Sequence, residues 1–206
     1  FGYDALTNIT KGRYNIGVGA NALYSETIGD GSIAIGEGAG YTQVSGSDNL
    51  GIGNIYVGFG AGYYNATGAN NTILGYHSGN RTTGANNTYV GYYAGKGTTG
   101  ADADNVGIGS SALTAITIGS NNVAVGRGAG ASITTASKTI FIGRNAGDAV
   151  TVTNSATSDG TVGIGHDALT ALTSGAGNTA VGYTAGALIT TGASNTALGY
   201  RSLSAN

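Results

Sequence analysis

The sequence predicts an all-β fold, a parallel β-solenoid of about twelve coils of roughly 17 residues each, expected to assemble as a homo-oligomer. Three observations predict the coil. A glycine recurs at Gly2, Gly19, Gly36, Gly58, Gly75, Gly91, Gly109, Gly126, Gly143, Gly165, Gly182 and Gly199, in steps of 16 to 18 residues interrupted by two steps of 22. A sizeable apolar residue always precedes it, from Phe1, Val18 and Ile35 to Val181 and Leu198. Two residues further back the side chain is always β-branched, from Ile16 and Ile33 to Thr179 and Thr196. Low charge alone would also fit a disordered chain, but disorder does not require that spacing.

With the recurrent glycine at position zero, each element of the unit has a reason. Positions −3 and −1 lie on one face of a strand, because side chains alternate with a period of two. Being β-branched or bulky and apolar, they are expected to face the interior. Position −2 then faces outward. It runs through Gly17, Ala34, Tyr56, Ile73, Tyr89 and Phe141 without a single charge. Position −4 is mostly Asn, as at Asn54, Asn71, Asn87, Asn105 and Asn122, and stacked amides can hydrogen-bond along the axis.

The glycine itself is expected at a corner that needs positive φ or close backbone approach. Position +3 is always Ala or Ser and position +4 only Gly or Leu. A second, weaker strand is expected near +7 to +9, through Ile9, Ile28, Val44, Ile116, Ile133, Val150, Leu172 and Ile189. Turn phrases such as Thr67-Gly68-Ala69-Asn70 close the unit. Coils stacked about 4.8 Å apart would build a rod roughly 55–60 Å long. The units tile residues 1–206 as one domain, with insertions near 45–53 and 153–160.

Composition narrows function by exclusion. The 206 residues include 40 Gly and no Pro, Cys, Met or Trp, so there is no disulfide, no thiolate ligand and no catalytic thiol. Eight basic and ten acidic side chains are scattered without a basic stripe, so no nucleic-acid partner is expected. No apolar run reaches the roughly 20 residues that span a bilayer, and no membrane insertion is expected. The G-x-G-x-G strings at Gly36–Gly40, Gly58–Gly62 and Gly126–Gly130 lack both a following helix and a G-K-(Ser/Thr) ending, which speaks against a nucleotide site.

Asp102 and Asp104 read as a solvated acidic turn, and no G-G-x-G-x-D phrase occurs; neither metal nor cofactor is expected. His77 and His166 are the only histidines, and neither has an evident nucleophile and carboxylate. Asp167 should point away from its neighbour His166 by simple alternation. No enzymatic activity is expected. A polysaccharide-cleaving tailspike would need a suitably spaced carboxylate pair.

Tyrosine is the most suggestive side chain. Seven of thirteen fall between Tyr56 and Tyr93, and the receptor-contacting candidates are Tyr63, Tyr64, Tyr76, His77, Tyr92 and Tyr93. Tyr76 and Tyr92 share position +1 and should stack, with His77 beside them. The same rings equally suit a ladder that covers a corner. A coil with few apolar side chains buries little surface against the entropy of ordering its residues, so burial against other copies is expected, through the uncharged −2 column.

The phrases Ser32-Ile33-Ala34-Ile35-Gly36-Glu37-Gly38-Ala39, Asn122-Val123-Ala124-Val125-Gly126-Arg127-Gly128-Ala129 and Asn178-Thr179-Ala180-Val181-Gly182-Tyr183 resemble the head repeats of trimeric autotransporter adhesins. The fuller phrase, with its T-T-G turn and N-T-A-(Val/Leu)-G-Tyr, resembles even more the repeats of bacteriophage tail fibres. That resemblance implies a trimeric structural and receptor-binding fibre segment. It would sit in the virion, outside the cell, and attach to a host-surface glycan or protein. The alternative is the head of a bacterial trimeric autotransporter adhesin, exposed on the bacterial cell surface.

Overall fold

The computed structural model describes residues 1–44, 53–97, 100–149 and 159–204. Each coil contributes one three-residue strand: β1 (Ile16–Val18), β2 (Ile33–Ile35), β3 (Ile55–Val57), β4 (Thr72–Leu74), β5 (Thr88–Val90), β6 (Val106–Ile108), β7 (Val123–Val125), β8 (Ile140–Ile142), β9 (Val162–Ile164), β10 (Thr179–Val181) and β11 (Thr196–Leu198). They form one parallel sheet in sequence order, each strand paired only with its neighbours. Register is strict, so that Ile16 faces Ile33 and Thr179 faces Thr196. The chain is a parallel β-solenoid, and its ten inter-strand steps of about 4.8 Å span roughly 48 Å.

Each strand ends for a physical reason. The glycine at zero adopts φ near +130°, as at Gly91 (+138°) and Gly109 (+130°), a conformation L side chains avoid. A Cβ on Gly91 would also lie 2.6 Å from the carbonyl oxygen of Gly109 in the next coil. The glycine column is therefore a backbone-to-backbone contact along the stack. Beside it runs the expected amide ladder. Asn71 Oδ1 accepts from the Asn87 backbone N–H at 2.8 Å, and Asn87 Oδ1 from the Asn105 N–H at 3.0 Å. Each Asn Nδ2 also crosses the coil to a turn carbonyl, Asn71 to Gly84 and Asn105 to Gly119, both at 2.9 Å.

That ladder overturns the expected facing of the strands. The −2 side chains are buried, from Ala34, Tyr56 and Ile73 to Phe141 and Ala180. Positions −3 and −1 face outward, with Ile16, Ile35, Ile108 and Ile142 all exposed. Val181 and Leu198 likewise stand on the outer face. The reason is parity. An Asn at −4 must turn inward to satisfy the carbonyls across the coil, and that carries −2 inward with it.

The core is filled by positions −2, +3, +4 and +7, and volume is traded between them. Where −2 is large, +4 is Gly: Tyr56 with Gly62, Ile73 with Gly79, Tyr89 with Gly95, Phe141 with Gly147. Where −2 is Gly, +4 is Leu: Gly17 with Leu23, Gly107 with Leu113, Gly163 with Leu169. A Cβ on Gly79 would meet Ile73 Cδ1 at 2.5 Å, so each pair holds one side chain's worth of space.

Three further expectations change. Among the described residues the strands before the recurrent glycine number eleven, not twelve, because only Phe1 precedes Gly2. The second strand is not formed among the described residues, where an isolated bridge pairs Thr82 with Gly100. Left-handed residues at +2 and +4, such as Asn21 and Leu23, coil the chain too tightly for extended backbone. Position +7 still reaches the core through Ile116, Ile133 and Leu172, while Val44 is exposed. The insertions expected near 45–53 and 153–160 lie almost wholly outside the described residues, and Val150 lies outside them too.

Candidate functional site: an aromatic cleft along the solenoid

The corner glycine swings position +1 onto the surface, and the left-handed turn at +2 brings position +5 up beside it. In successive coils both columns become stacks of rings. Phe59, Tyr76 and Tyr92 stack at +1, with centroids 5.4 Å apart at both steps. Tyr24, Tyr41 and Tyr63 stack at +5, at 5.1 and 4.7 Å. The spacing is close to the strand repeat and the rings are within 12° of parallel, so neighbouring rings are in face-to-face contact.

Between these ladders lies a cleft of about 490 Å³. One wall carries Glu37 and Phe59, and the other carries Tyr41, Tyr63, Asn80 and Lys96. Its depth comes from Gly38 and Gly60 at +2, a position that carries a side chain in every other coil except the one with Gly128. A Cβ on Gly60 would press on His77 Nδ1 at 2.5 Å, and one on Gly38 would meet the Tyr63 ring at 2.9 Å. Past these glycines, His77 and Tyr93 close one end of the floor, and Tyr64 and Arg81 stand on the rim.

Hydrogen bonding fixes the state of His77. Asn80 Nδ2 donates to the Gly60 carbonyl at 2.9 Å, which orients the amide, and it lies 3.0 Å from His77 Nδ1. An amide NH₂ only donates, so Nδ1 accepts and the ring proton sits on Nε2. Burial, with the nearby Lys96 charge, holds the His77 pKa below its ordinary value and keeps the ring neutral. Burial also pushes the Tyr63 phenol up. Cations sit on ring faces at the rim, Arg81 Cζ 5.5 Å from the Tyr64 centroid and Lys96 Nζ 4.5 Å from that of Tyr93.

Of the expected contact residues, Tyr63, Tyr64, His77 and Tyr93 line this one cleft. Tyr76 and Tyr92 do not line it; they extend the outer ladder, with Tyr76 edge-on to His77 at 4.5 Å and Tyr92 at 4.1 Å from Tyr93. Sequence reasoning missed Tyr41, Phe59, Glu37, Asn80, Arg81 and Lys96. The available signal was the G-x-G-x-G strings, whose middle glycines at 38 and 60 are the cleft floor.

No family model matches the chain, and comparisons with characterised proteins and with solved structures give no match either. The geometry therefore stands by itself. Among the described residues, no group of three or more His, Asp or Glu is placed to hold a metal ion. No helix among them is long and apolar enough to cross a membrane.

Two carboxylates differ from expectation. Asp102 is buried rather than solvated, and its Oδ2 accepts from the buried Tyr89 hydroxyl at 2.5 Å. Burial lifts its pKa to about 6. Asp104 stays outside, accepting from Asn86 at 3.1 Å. Asp167 does not point away from His166: Oδ2 lies 3.0 Å from His166 Nδ1, because this stretch is a turn with Asp167 at φ +56° and not a strand. A smaller cleft of about 340 Å³ at the far end is lined by Tyr183, Thr184, Tyr200 and Arg201, with no glycine floor.

Proposed function

We propose that this chain is a structural and receptor-binding segment of a bacteriophage tail fibre. It attaches to the host cell surface through the aromatic cleft, carries out no chemistry, and works outside the cell as part of the virion. Tyr63, Tyr64, His77 and Tyr93 make the contact, with Tyr76 and Tyr92 bracing the rings behind them. The observation that carries the reading is an in-register stack that holds an aromatic cleft on one surface and an uncharged sheet face, mostly Ile, Val and Leu, on another. Aromatic rings with polar tips suit sugar or protein surfaces.

The apolar sheet supports the second half of the proposal, a homo-oligomer that is most simply a trimer. Its outer face is two columns of eleven side chains, all Ile, Val, Leu or Thr, with no charge. A contiguous apolar strip of that length on a surface marks an interaction site. It runs the length of the rod, so a parallel copy in the same register matches it coil for coil. This assigns the contact to the −3 and −1 columns, the reverse of the face the alternation first suggested.

Light scattering on the purified chain is expected to give a mass near three times 20.1 kDa. A single-chain mass with a cooperative melt would refute the assembly. For attachment, the chain should compete with fibre-bearing phage for host cells, and Tyr63→Ala should lose that competition. Undiminished competition by Tyr63→Ala would remove the cleft from the proposal.

A further inference from the structure

We propose that the cleft takes a carboxylate-bearing saccharide, with its acid group at the Arg81–Lys96 end and its neutral sugar hydroxyls toward Glu37. This inference rests on the reading of the cleft as the receptor site and names the ligand class.

The polar groups are distributed unevenly along the groove. Arg81 and Lys96 belong to adjacent coils at one end, each held over a tyrosine ring. Among the described residues the ion pairs are Arg13–Asp30 and His166–Asp167, so both cations are without a carboxylate partner. His77 adds a neutral ring whose Nε2 carries the proton, because Nδ1 is taken by Asn80. This end therefore presents donors and positive charge, in a chain whose net charge is −2.

The opposite end is of the other kind. Among the described residues Glu37 is the one carboxylate lining the cleft, two coils from Arg81 and three from Lys96, or about 10–14 Å at the strand repeat. An acceptor there suits hydroxyl donors and repels a second anion. A ligand with an acid group at one end and hydroxyls at the other complements the whole groove. A fully anionic chain is disfavoured by Glu37, and a neutral one leaves both cations unused.

The ring geometry points to a sugar over an aromatic guest. Within each ladder the faces are covered by the neighbouring ring, so edges and hydroxyls are what the groove offers along most of its length. Tyr63 is the last ring of its stack, followed in that column by Asn80, and Tyr64 packs on it edge-on at 4.7 Å. Sugars meet such a surface well, pairing C–H faces with the terminal ring and hydroxyls with the phenols. The volume of about 490 Å³ fits a short oligosaccharide.

The test is calorimetric binding of neutral oligosaccharides that end in a single galacturonate, glucuronate or N-acetylneuraminate, each beside its carboxyl-reduced form, at low and high salt. At least one acidic oligosaccharide is expected to bind roughly tenfold or more tighter than its reduced form, with the difference shrinking in salt. Arg81→Gln with Lys96→Gln should erase that difference while the melting temperature stays unchanged. Tyr63→Ala should weaken both forms. Equal binding of acidic and reduced forms across the panel overturns the acidic specificity and leaves the cleft as a receptor site. Binding of none also overturns the inference, and host-cell competition by Tyr63→Ala then decides whether the receptor reading falls with it.

Discussion

The coils anchored on Gly19 to Gly75 and those anchored on Gly109 to Gly182 share one backbone but solve their interiors differently. In the first group the +7 column is polar: Glu26, Gln43, Asn65 and Thr82, all buried. In the second it is Ile116, Ile133, Leu172 and Ile189. The polar column is satisfied internally. Glu26 Oε1 takes the backbone N–H groups of Thr27, Ile28 and Gly29 at 2.7–3.1 Å, and Gln43 Nε2 donates to Glu26 Oε2 at 2.7 Å. Asn65 donates to the buried Tyr56 hydroxyl at 2.8 Å. A polar interior is costly unless every group finds a partner. It coincides here with the stretch that carries the aromatic cleft outside, whereas the apolar half carries few rings on its surface until His166, Tyr183 and Tyr200. The lesson is that a solenoid fixes its columns by backbone register and leaves each rung free to be filled by either chemistry.

The comparison is broken most severely at the volume pairs. Gly62→Leu drives a side chain into the Tyr56 ring and is expected to abolish cooperative unfolding, read by circular dichroism. The double change Tyr56→Gly with Gly62→Leu rebuilds the Gly107–Leu113 arrangement and should restore most of the melt. If it does not, the two halves do not obey one packing rule. Next in size is Glu26→Leu, which imports the apolar solution into a polar rung. It leaves three backbone donors without their carboxylate and should cost roughly 3 kcal/mol or more. The matched change in the other half, Ile116→Ala, should cost about 2–5 kcal/mol through the cavity alone. Urea melts of the pair measure both.

Asp102 sharpens the contrast through pH. Its folded pKa of about 6 lies above the ordinary carboxylate value of 3.8, so folding favours the protonated acid. That stability is fully present below about 3.8 and is lost as pH rises through about 6. The chain should therefore lose up to about 3 kcal/mol between those values relative to Asp102→Asn, whose amide oxygen still accepts from Tyr89. Parallel thermal melts of the two proteins at several pH values test this, and parallel curves would show that folding does not raise the Asp102 pKa. The smallest effect is expected on the outer sheet. Val125→Lys should change single-chain stability by less than about 1 kcal/mol, because the side chain stands outside the coil. It should, however, reduce the assembled mass in light scattering, and Ala124→Lys, one residue away and buried, should prevent folding.

Much of the fold was legible because hydrogen bonds between coils repeat the same residue types in register. The glycine step, the Asn ladder and the small +3 column all follow from that requirement. Which side of the strand faces inward was less legible. Alternation distinguishes two faces without naming the inner one, and hydrophobicity favoured the wrong one because −3 and −1 are β-branched or bulky throughout, whereas −2 is Gly or Ala in seven of the eleven strands. Asn at −4 held the answer, since its amide has to reach carbonyls across the coil. The cleft was half legible. The tyrosine cluster stood out, but Arg81, Lys96 and Asn80 join it only because left-handed turns at +2 bring positions +1 and +5 side by side.

By itself, then, the sequence determined the period, the chemistry of each column and the parallel stacking, because those are set by local spacing and by backbone pairing between like units. The tertiary structure alone decided which parity is interior, how Gly62 makes room for Tyr56, and that two glycines at 38 and 60 open a cleft between two ring stacks. Those outcomes depend on how the chain curves between strands, which folds +4 back onto −2 within one coil and sets the +1, +2 and +5 columns of successive coils side by side.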